Sequence, residues 1–233
     1  MSPTPQQRNE IEVVLEGNSI YTNYTPEKGK PRVLYLMVKR ILDFICALIG
    51  LILLTPVFLV LAILIKLEDP KGSVFFYQTR IGKDEKPFRM YKFRSMVSNA
   101  EELLDNLLAQ NEISGAMFKM KEDPRITKIG RIIRKTSMDE LPQLWNVIRG
   151  EMSLVGPRPA LPREVDQYSS YDKLRLRVIP GCTGLWQVSG RSELSFNEMV
   201  ELDLRYIEKR GFIFDLRIIL QTVKVMFFSK DAF

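Results

Sequence analysis

The sequence predicts an α+β protein, mainly helical, in which a re-entrant membrane helix and interfacial amphipathic helices surround a small β-hairpin or sheet. Three observations carry this expectation. Residues 44–65 are a charge-free run of 22 positions, which as a helix would span roughly 33 Å, enough to cross a bilayer. Two short runs rich in Val, Phe and Tyr flank Gly82. Several later segments repeat apolar residues at helical spacing.

Taken in order, residues 1–38 form a polar, mostly flexible tail with Pro3, Pro5, Pro26 and Pro31 and no sustained period. Residues 39–67 are the hydrophobic segment. Both of its flanks are basic, with Lys28, Lys30, Arg32, Lys39 and Arg40 before it and Lys66, Lys71, Arg80 and Lys83 after it, so the positive-inside rule assigns no orientation. Pro56, behind Thr55, removes one backbone hydrogen bond in mid-run. A helix bending at Thr55–Pro56 and returning to the face it entered satisfies both flanks; a straight crossing with a tolerated proline stays open. The segment is too internal and too long for a cleaved signal peptide.

Residues 68–233 read as a catalytic domain. "SVFFYQTRIG" and "KPFRMYKFRSM" predict a hairpin. "SNAEELLDNLLAQNEI" predicts a helix with Ser98 and Glu101 as a capping box. "DPRITKIGRIIRK" places Ile126, Ile129, Ile132 and Ile133 on one side and Lys128, Arg131, Arg134 and Lys135 around the other, which suits an anionic membrane surface or a solvated charged face. Leu141, Leu144, Trp145 and Ile148 form a helical stripe stopped by Gly150. A further helix runs from Phe196 to Gly211, and "FIFDLRIILQTVKVMFF" reads as a helix buried against the domain or lying in the membrane interface.

Composition narrows the chemistry. The net charge of +6 favours an anionic partner. There is no histidine, hence no usual general base near neutral pH and no imidazole metal ligand. Cys46 and Cys182 are the only cysteines, which excludes a zinc cluster or disulfide framework; Cys46, inside an apolar run, reads as packing. Catalysis must rest on carboxylates, Lys, Arg, hydroxyls and a hard cation held by oxygen.

The candidate residues sit in "SMDELPQLWNVIRGEMSLVGPRP". With Asp139 as N-cap, Asp139 and Glu140 lie at the positive end of a helix dipole, which favours their ionised forms, so one can act as nucleophile and the other as base or metal ligand. Plain capping, with Ser137 and Glu140 as a capping box, explains the same residues. Arg158, between Pro157 and Pro159, is a guanidinium on a stiff backbone that either meets a phosphate or sits in a rigid turn. "PGCTGLWQVSGRS" is a glycine-rich loop before Arg191 that matches no standard phosphate-binding pattern. Lys92 and Arg94 alternate with Tyr91 and Phe93 and share one strand face.

"YKFRSM", "DPRITKIGRIIRKTSMDELPQLWNVIRGEMSLVGPRP" and "PGCTGLWQVSGR", in this order after a proline-containing hydrophobic segment, closely resemble the bacterial sugar transferase family, the monotopic polyprenyl-phosphate phosphoglycosyl transferases. The resemblance runs from about Lys39 to the C-terminus. It implies a re-entrant helix broken at Thr55–Pro56. It implies transfer of a sugar-1-phosphate from a UDP-sugar to undecaprenyl phosphate with release of UMP, the first membrane step of exopolysaccharide or capsule repeat-unit synthesis. Asp139 is then the nucleophile and Glu140 its partner. Lys92, Arg94, Arg134, Arg158 and Arg191 handle phosphate, and Mg²⁺ takes ligands from Asp139, Glu140 or Asp203. The implied location is the cytoplasmic face of a bacterial cell membrane. Implied partners are a UDP-sugar, undecaprenyl phosphate and membrane lipid, with no nucleic acid; a homo-oligomer stays open. Two rivals keep a place: a membrane-tethered scaffold with a basic binding face, and a soluble nucleotide-sugar hydrolase.

Overall fold

A computed structural model describes residues 13–16, 19–22, 33–100, 102–103, 123–190 and 194–228. Within the N-terminal unit, β1 (Val13–Glu16) pairs antiparallel with β2 (Ser19–Thr22). The second unit, which begins at Met37, carries nearly all of the first helix and every later element. Most of the helix expected after Ser98 lies outside the described residues.

Helix α1 (Val33–Glu68) is continuous through Thr55 and Pro56. The Thr55 hydroxyl donates to the Leu51 carbonyl at 2.9 Å, a back-bond that often accompanies helix bending. One side of α1 is attached to the domain along much of its length. Arg40 donates to the Val147 and Ile148 carbonyls at 2.5 and 2.8 Å, at a helix end where a cation is favoured. Asp43 accepts from the Ser153 hydroxyl at 2.7 Å. Ala47 packs with Met90, Val147 and Met152, and Leu61 and Ile65 pack with Phe93 and Ile133. Glu68 accepts from the Lys128 and Ile129 N–H groups, which opens the next helix. The other side exposes Met37, Ile41, Leu48, Ile52, Leu59 and Ile63.

These contacts revise two sequence expectations. Lys39 pairs with Asp215 at 2.9 Å, and Arg80 is buried with a bond to the Pro159 carbonyl, so with Arg40 three of the cations counted as membrane flanks are held by the fold itself. Cys46 is exposed on α1 instead of packed.

β3 (Phe75–Ile81) and β4 (Pro87–Phe93) form the expected antiparallel hairpin, with Phe75 opposite Phe93 and Ile81 opposite Pro87. Helix α2 (Lys128–Lys135) follows, N-capped by Thr127. It buries Ile133 but leaves Ile132 exposed, so the predicted isoleucine face is narrower than expected. Helix α3 (Gln143–Arg149) ends at Gly150, whose φ of 81° is the left-handed value that favours glycine. Its buried face is Gln143, Asn146 and Val147, and Trp145 is 48% exposed. Asn146 explains the rotation: its amide accepts from the Tyr91 N–H at 3.0 Å and donates to the Arg89 carbonyl at 2.7 Å, pairing the edge of β4 as a neighbouring strand would.

Strand β5 (Ser153–Val155) pairs in parallel with β6 (Gly181–Thr183). Between them lie α4 (Pro162–Val165) and a 3₁₀ segment, Asp172–Arg177. The glycines here serve backbone approach. A Cβ at Gly181 would stand 2.1 Å from the Gly156 nitrogen and 2.5 Å from the Thr183 oxygen. Gly181→Ala is therefore expected to destabilise the fold by about 3 kcal/mol, because only backbone could yield; a thermal melt within a few degrees of wild type would contradict this.

α5 (Phe196–Lys209) starts at a capping box between Ser195 and Glu198, and α6 (Phe212–Phe228) follows after Gly211. α6 buries Asp215 and Ile218 and exposes Ile213, Leu216 and Leu220, which joins the two sequence alternatives for it: one side faces the domain and the other is open and apolar.

Candidate active site

A 3₁₀ turn, Met138–Glu140, links α2 to α3. Ser137, just before it, holds a left-handed backbone with φ of 55°, which costs a side-chain-bearing residue about 1–2 kcal/mol. Its hydroxyl makes no capping bond, and Pro142 rather than Asp139 precedes α3. The capping explanation of the acidic pair is thereby removed. Asp139 and Glu140 instead face a cavity of about 1020 Å³, which Lys92, Arg134, Arg158 and Arg175 also line.

The two carboxylates differ in state. Asp139 is 8% exposed, and burial pushes its carboxyl up to about 6, against the pull of Lys92 and Arg134. Burial acts on Glu140 in the same sense, but Lys92, Arg158 and a hydrogen bond from Gln143 outweigh it and hold Glu140 below the usual carboxylate range. Lys92 donates to Glu140 at 2.6 Å. Glu140 is thus fixed as an anion, while the Asp139 carboxyl, raised to about 6, can take either form in mildly acidic conditions.

The remaining cations are placed by the turns around them. Arg158 follows β5 and lies 6.0 Å from the centroid of the Trp186 ring. Arg80 donates to the Pro159 carbonyl at 3.1 Å and so braces the Pro-Arg-Pro loop from behind. Burial, with Arg158 close by, lowers the Arg80 guanidinium to about 10, still charged at neutral pH. Cys182 lines the cavity, but burial drives its thiol far above its ordinary value, so no thiolate chemistry is available.

Lys92, Arg134, Asp139, Glu140 and Arg158 are therefore brought together as the sequence suggested. Arg94 is not among the cavity residues: it pairs with Asp69 at 3.1 Å and ties the end of α1 to the hairpin. β4 ends at Phe93, so strand alternation no longer sets the direction of the next side chain. Asp203 is also elsewhere. It has no solvent exposure and forms an ion pair with Arg175, so it does not join Asp139 and Glu140 around a cation. Among the described residues no group of three His, Cys, Asp or Glu side chains is placed to hold a metal. Two carboxylates still suit Mg²⁺, which typically takes one or two from the protein and completes its shell with water and substrate phosphate. Arg191 lies outside the described residues.

Sequence reasoning missed Gln143, Glu164, Tyr168, Arg175, Trp186 and Gln187, all in the cavity wall. Gln143 sits on the helix after the dyad and was legible from that position. Arg175 lies in a 3₁₀ segment between two leucines, where no long period assigns a side.

Residues 34–229 match the bacterial sugar transferase family. The chain is 47% identical over 201 residues to galactosyl transferase CpsE of Streptococcus agalactiae serotype III (strain NEM316), covering 85% of this chain and 44% of that protein. It is 40% identical over 211 residues to exopolysaccharide production protein ExoY of Rhizobium meliloti (strain 1021), covering 89% and 93%. It is 39% identical over 217 residues to UDP-glucose:undecaprenyl-phosphate glucose-1-phosphate transferase of Escherichia coli (strain K12), covering 90% and 43%. The chain thus spans less than half of the first and third of these proteins and nearly all of the second. The family match takes in the acidic dyad, the cations around it and all the described walls of the cavity, and the chain belongs to the bacterial sugar transferase family.

Proposed function

We propose that this protein transfers a sugar-1-phosphate from a UDP-sugar to undecaprenyl phosphate, with a phosphosugar held on Asp139 between the two halves of the reaction. The observation that carries this reading is the pairing of a neutralisable carboxylate, Asp139, with a fixed anion, Glu140, inside a cavity rimmed by Lys92, Arg134 and Arg158. Phosphoryl transfer is mostly positioning and charge neutralisation, which such a set supplies without histidine.

In the first half-reaction an ionised Asp139 oxygen attacks the β-phosphorus of the donor. The bond from that phosphorus to the bridging oxygen breaks, and UMP departs with the electron pair. In the second, an oxygen of the lipid phosphate attacks the same phosphorus, and the Asp139 carboxylate is released unchanged. Arg158 and Lys92 offset charge on the transferring phosphate. Mg²⁺ would be held by Asp139 and Glu140 and would supply further screening of the diphosphate.

The setting is a membrane surface. α1 meets the same domain near Arg40–Ala47 and again near Leu61–Glu68, and a helix crossing the bilayer would carry one of those ends away from it. A re-entrant or surface-lying α1, with the domain on the cytoplasmic face, satisfies both contacts and buries the apolar outer side in lipid. Galactose and glucose are the donor sugars to test first, since the names of the CpsE and Escherichia coli relatives carry a galactosyl and a UDP-glucose activity.

A panel of UDP-sugars assayed with undecaprenyl phosphate and Mg²⁺ tests the reading. The expected result is UMP formation matched by a lipid-linked diphosphosugar for one or a few donors. UMP release that needs no lipid and yields no lipid product would point to a hydrolase and overturn it.

A further inference from the structure

The cavity has a second, differently built wall. Asp139, Lys92 and Arg134 come from the Met138–Glu140 turn, β4 and α2; Tyr168 and Arg175 come from the segment between α4 and β6, with Phe196 from the start of α5. Arg175 is 5% exposed. It pairs with Asp203, donates to the Tyr168 hydroxyl at 3.1 Å, and lies 5.8 Å from the centroid of the Tyr168 ring. Tyr168 and Phe196 contact each other with ring centroids 5.4 Å apart. Among the described residues the buried Arg175 Nε–H and Trp186 Nε1–H have no hydrogen-bond partner, and both residues line the cavity. Buried donors left unmatched in a cavity wall point to a ligand that completes them.

Resting on the nucleotide-sugar reading above, we infer that the Tyr168–Arg175–Phe196 corner is the subsite for the uracil base of the donor, and that Asp203 acts there as the positioning residue for Arg175. Charge separates this corner from the phosphate site. Asp203 neutralises Arg175, leaving a directional fork of N–H donors with little net charge, which suits a neutral carbonyl better than a phosphate. The aromatic rings offer a flat base a stacking surface. The reaction geometry agrees: in-line displacement sends the leaving UMP away from Asp139, whereas the sugar stays attached to the phosphorus under attack. Arg158 acts on Glu140 electrostatically and lies 6.0 Å from the centroid of the Trp186 ring, and the dyad, Trp186 and this corner all line one cavity, so a diphosphate held at Arg158 leaves its nucleoside within the same cavity. A guanidinium donates only, so it accepts uracil O4 as a partner but not the amino group that cytosine carries there.

The test is direct binding of UMP and CMP to the full chain in detergent by calorimetry, alongside UMP release from the preferred UDP-sugar. Wild type is expected to bind UMP more tightly than CMP. Tyr168→Leu, and the double variant Arg175→Gln with Asp203→Asn, which leaves no unpaired buried charge, are each expected to weaken UMP binding about tenfold or more and to narrow the UMP/CMP gap. KM for the donor should rise while kcat changes less, and the Mg²⁺ requirement should stay unchanged. Wild type that releases UMP from the donor, with variants that bind UMP as tightly as wild type, would overturn this inference alone. An altered Mg²⁺ requirement in the double variant would overturn the role given to Asp203. Wild type that neither binds UMP nor releases it would overturn the donor reading and this subsite with it.

Discussion

Asp139→Asn is expected to lower transfer by at least about 10³-fold while making the folded protein more stable. The loss follows from the proposed chemistry, because an amide oxygen cannot form the covalent phosphosugar, and removal of a nucleophile costs orders of magnitude in rate. The gain follows from burial. The Asp139 carboxyl is raised from 3.8 to about 6, so ionising it in the fold is unfavourable. That cost is absent below about pH 4, grows as pH rises through 6, and is complete above it, where it reaches about 3 kcal/mol. Asparagine, which never ionises, escapes it. Thermal melts at pH 8 and pH 4 check the sign: the variant should melt higher than wild type at pH 8, and the difference should shrink at pH 4. An equally active variant would remove Asp139 as nucleophile, and a variant less stable than wild type at pH 8 would contradict the assigned burial cost.

Lys92→Met is expected to reduce kcat/KM at pH 7 by roughly 10²-fold and to move the acid limb of the pH profile upward. In the wild-type protein the fraction of ionised Asp139 should fall to about half at pH 6 and about a tenth at pH 5, which sets the limb near 6 rather than near 4. Lys92 is the largest influence opposing the burial of Asp139, and it also holds Glu140 through the 2.6 Å bond. Without it both carboxylates gain protons more readily, and less of the enzyme carries an ionised nucleophile at neutral pH. A pH–rate profile checks this; a limb that stays at pH 6 in the variant would show that Lys92 does not tune Asp139.

Much of the site was legible because strong local signals marked it. The acidic pair just ahead of a helix, the Pro-Arg-Pro rigidity and the basic residue of "YKF" within a strand are local signals, and Lys92, Asp139, Glu140 and Arg158 are found in one cavity, although the pair sits in a 3₁₀ turn rather than at the helix cap. The failures come where partners are distant in sequence. Arg94 and Asp203 look like surface or catalytic charges until Asp69 and Arg175 are placed against them. Lys39 and Arg40 read as membrane flanks because nothing local reveals Asp215 or the carbonyl end of α3. The hairpin and most helices follow from period and turn residues, whereas the burial of Asn146 in place of Trp145 depends on a strand edge that the sequence of α3 does not contain.

In the proposed chemistry an aspartyl oxygen carries the migrating phosphosugar. The most direct measurement is mass spectrometry of peptides from protein quenched in acid after mixing with donor and Mg²⁺ in the absence of lipid acceptor. A phosphohexose adduct is expected on the peptide containing Asp139, lost when undecaprenyl phosphate is added before quenching. An adduct on a different residue, or none under conditions that preserve acyl phosphates while UMP has formed, would contradict it.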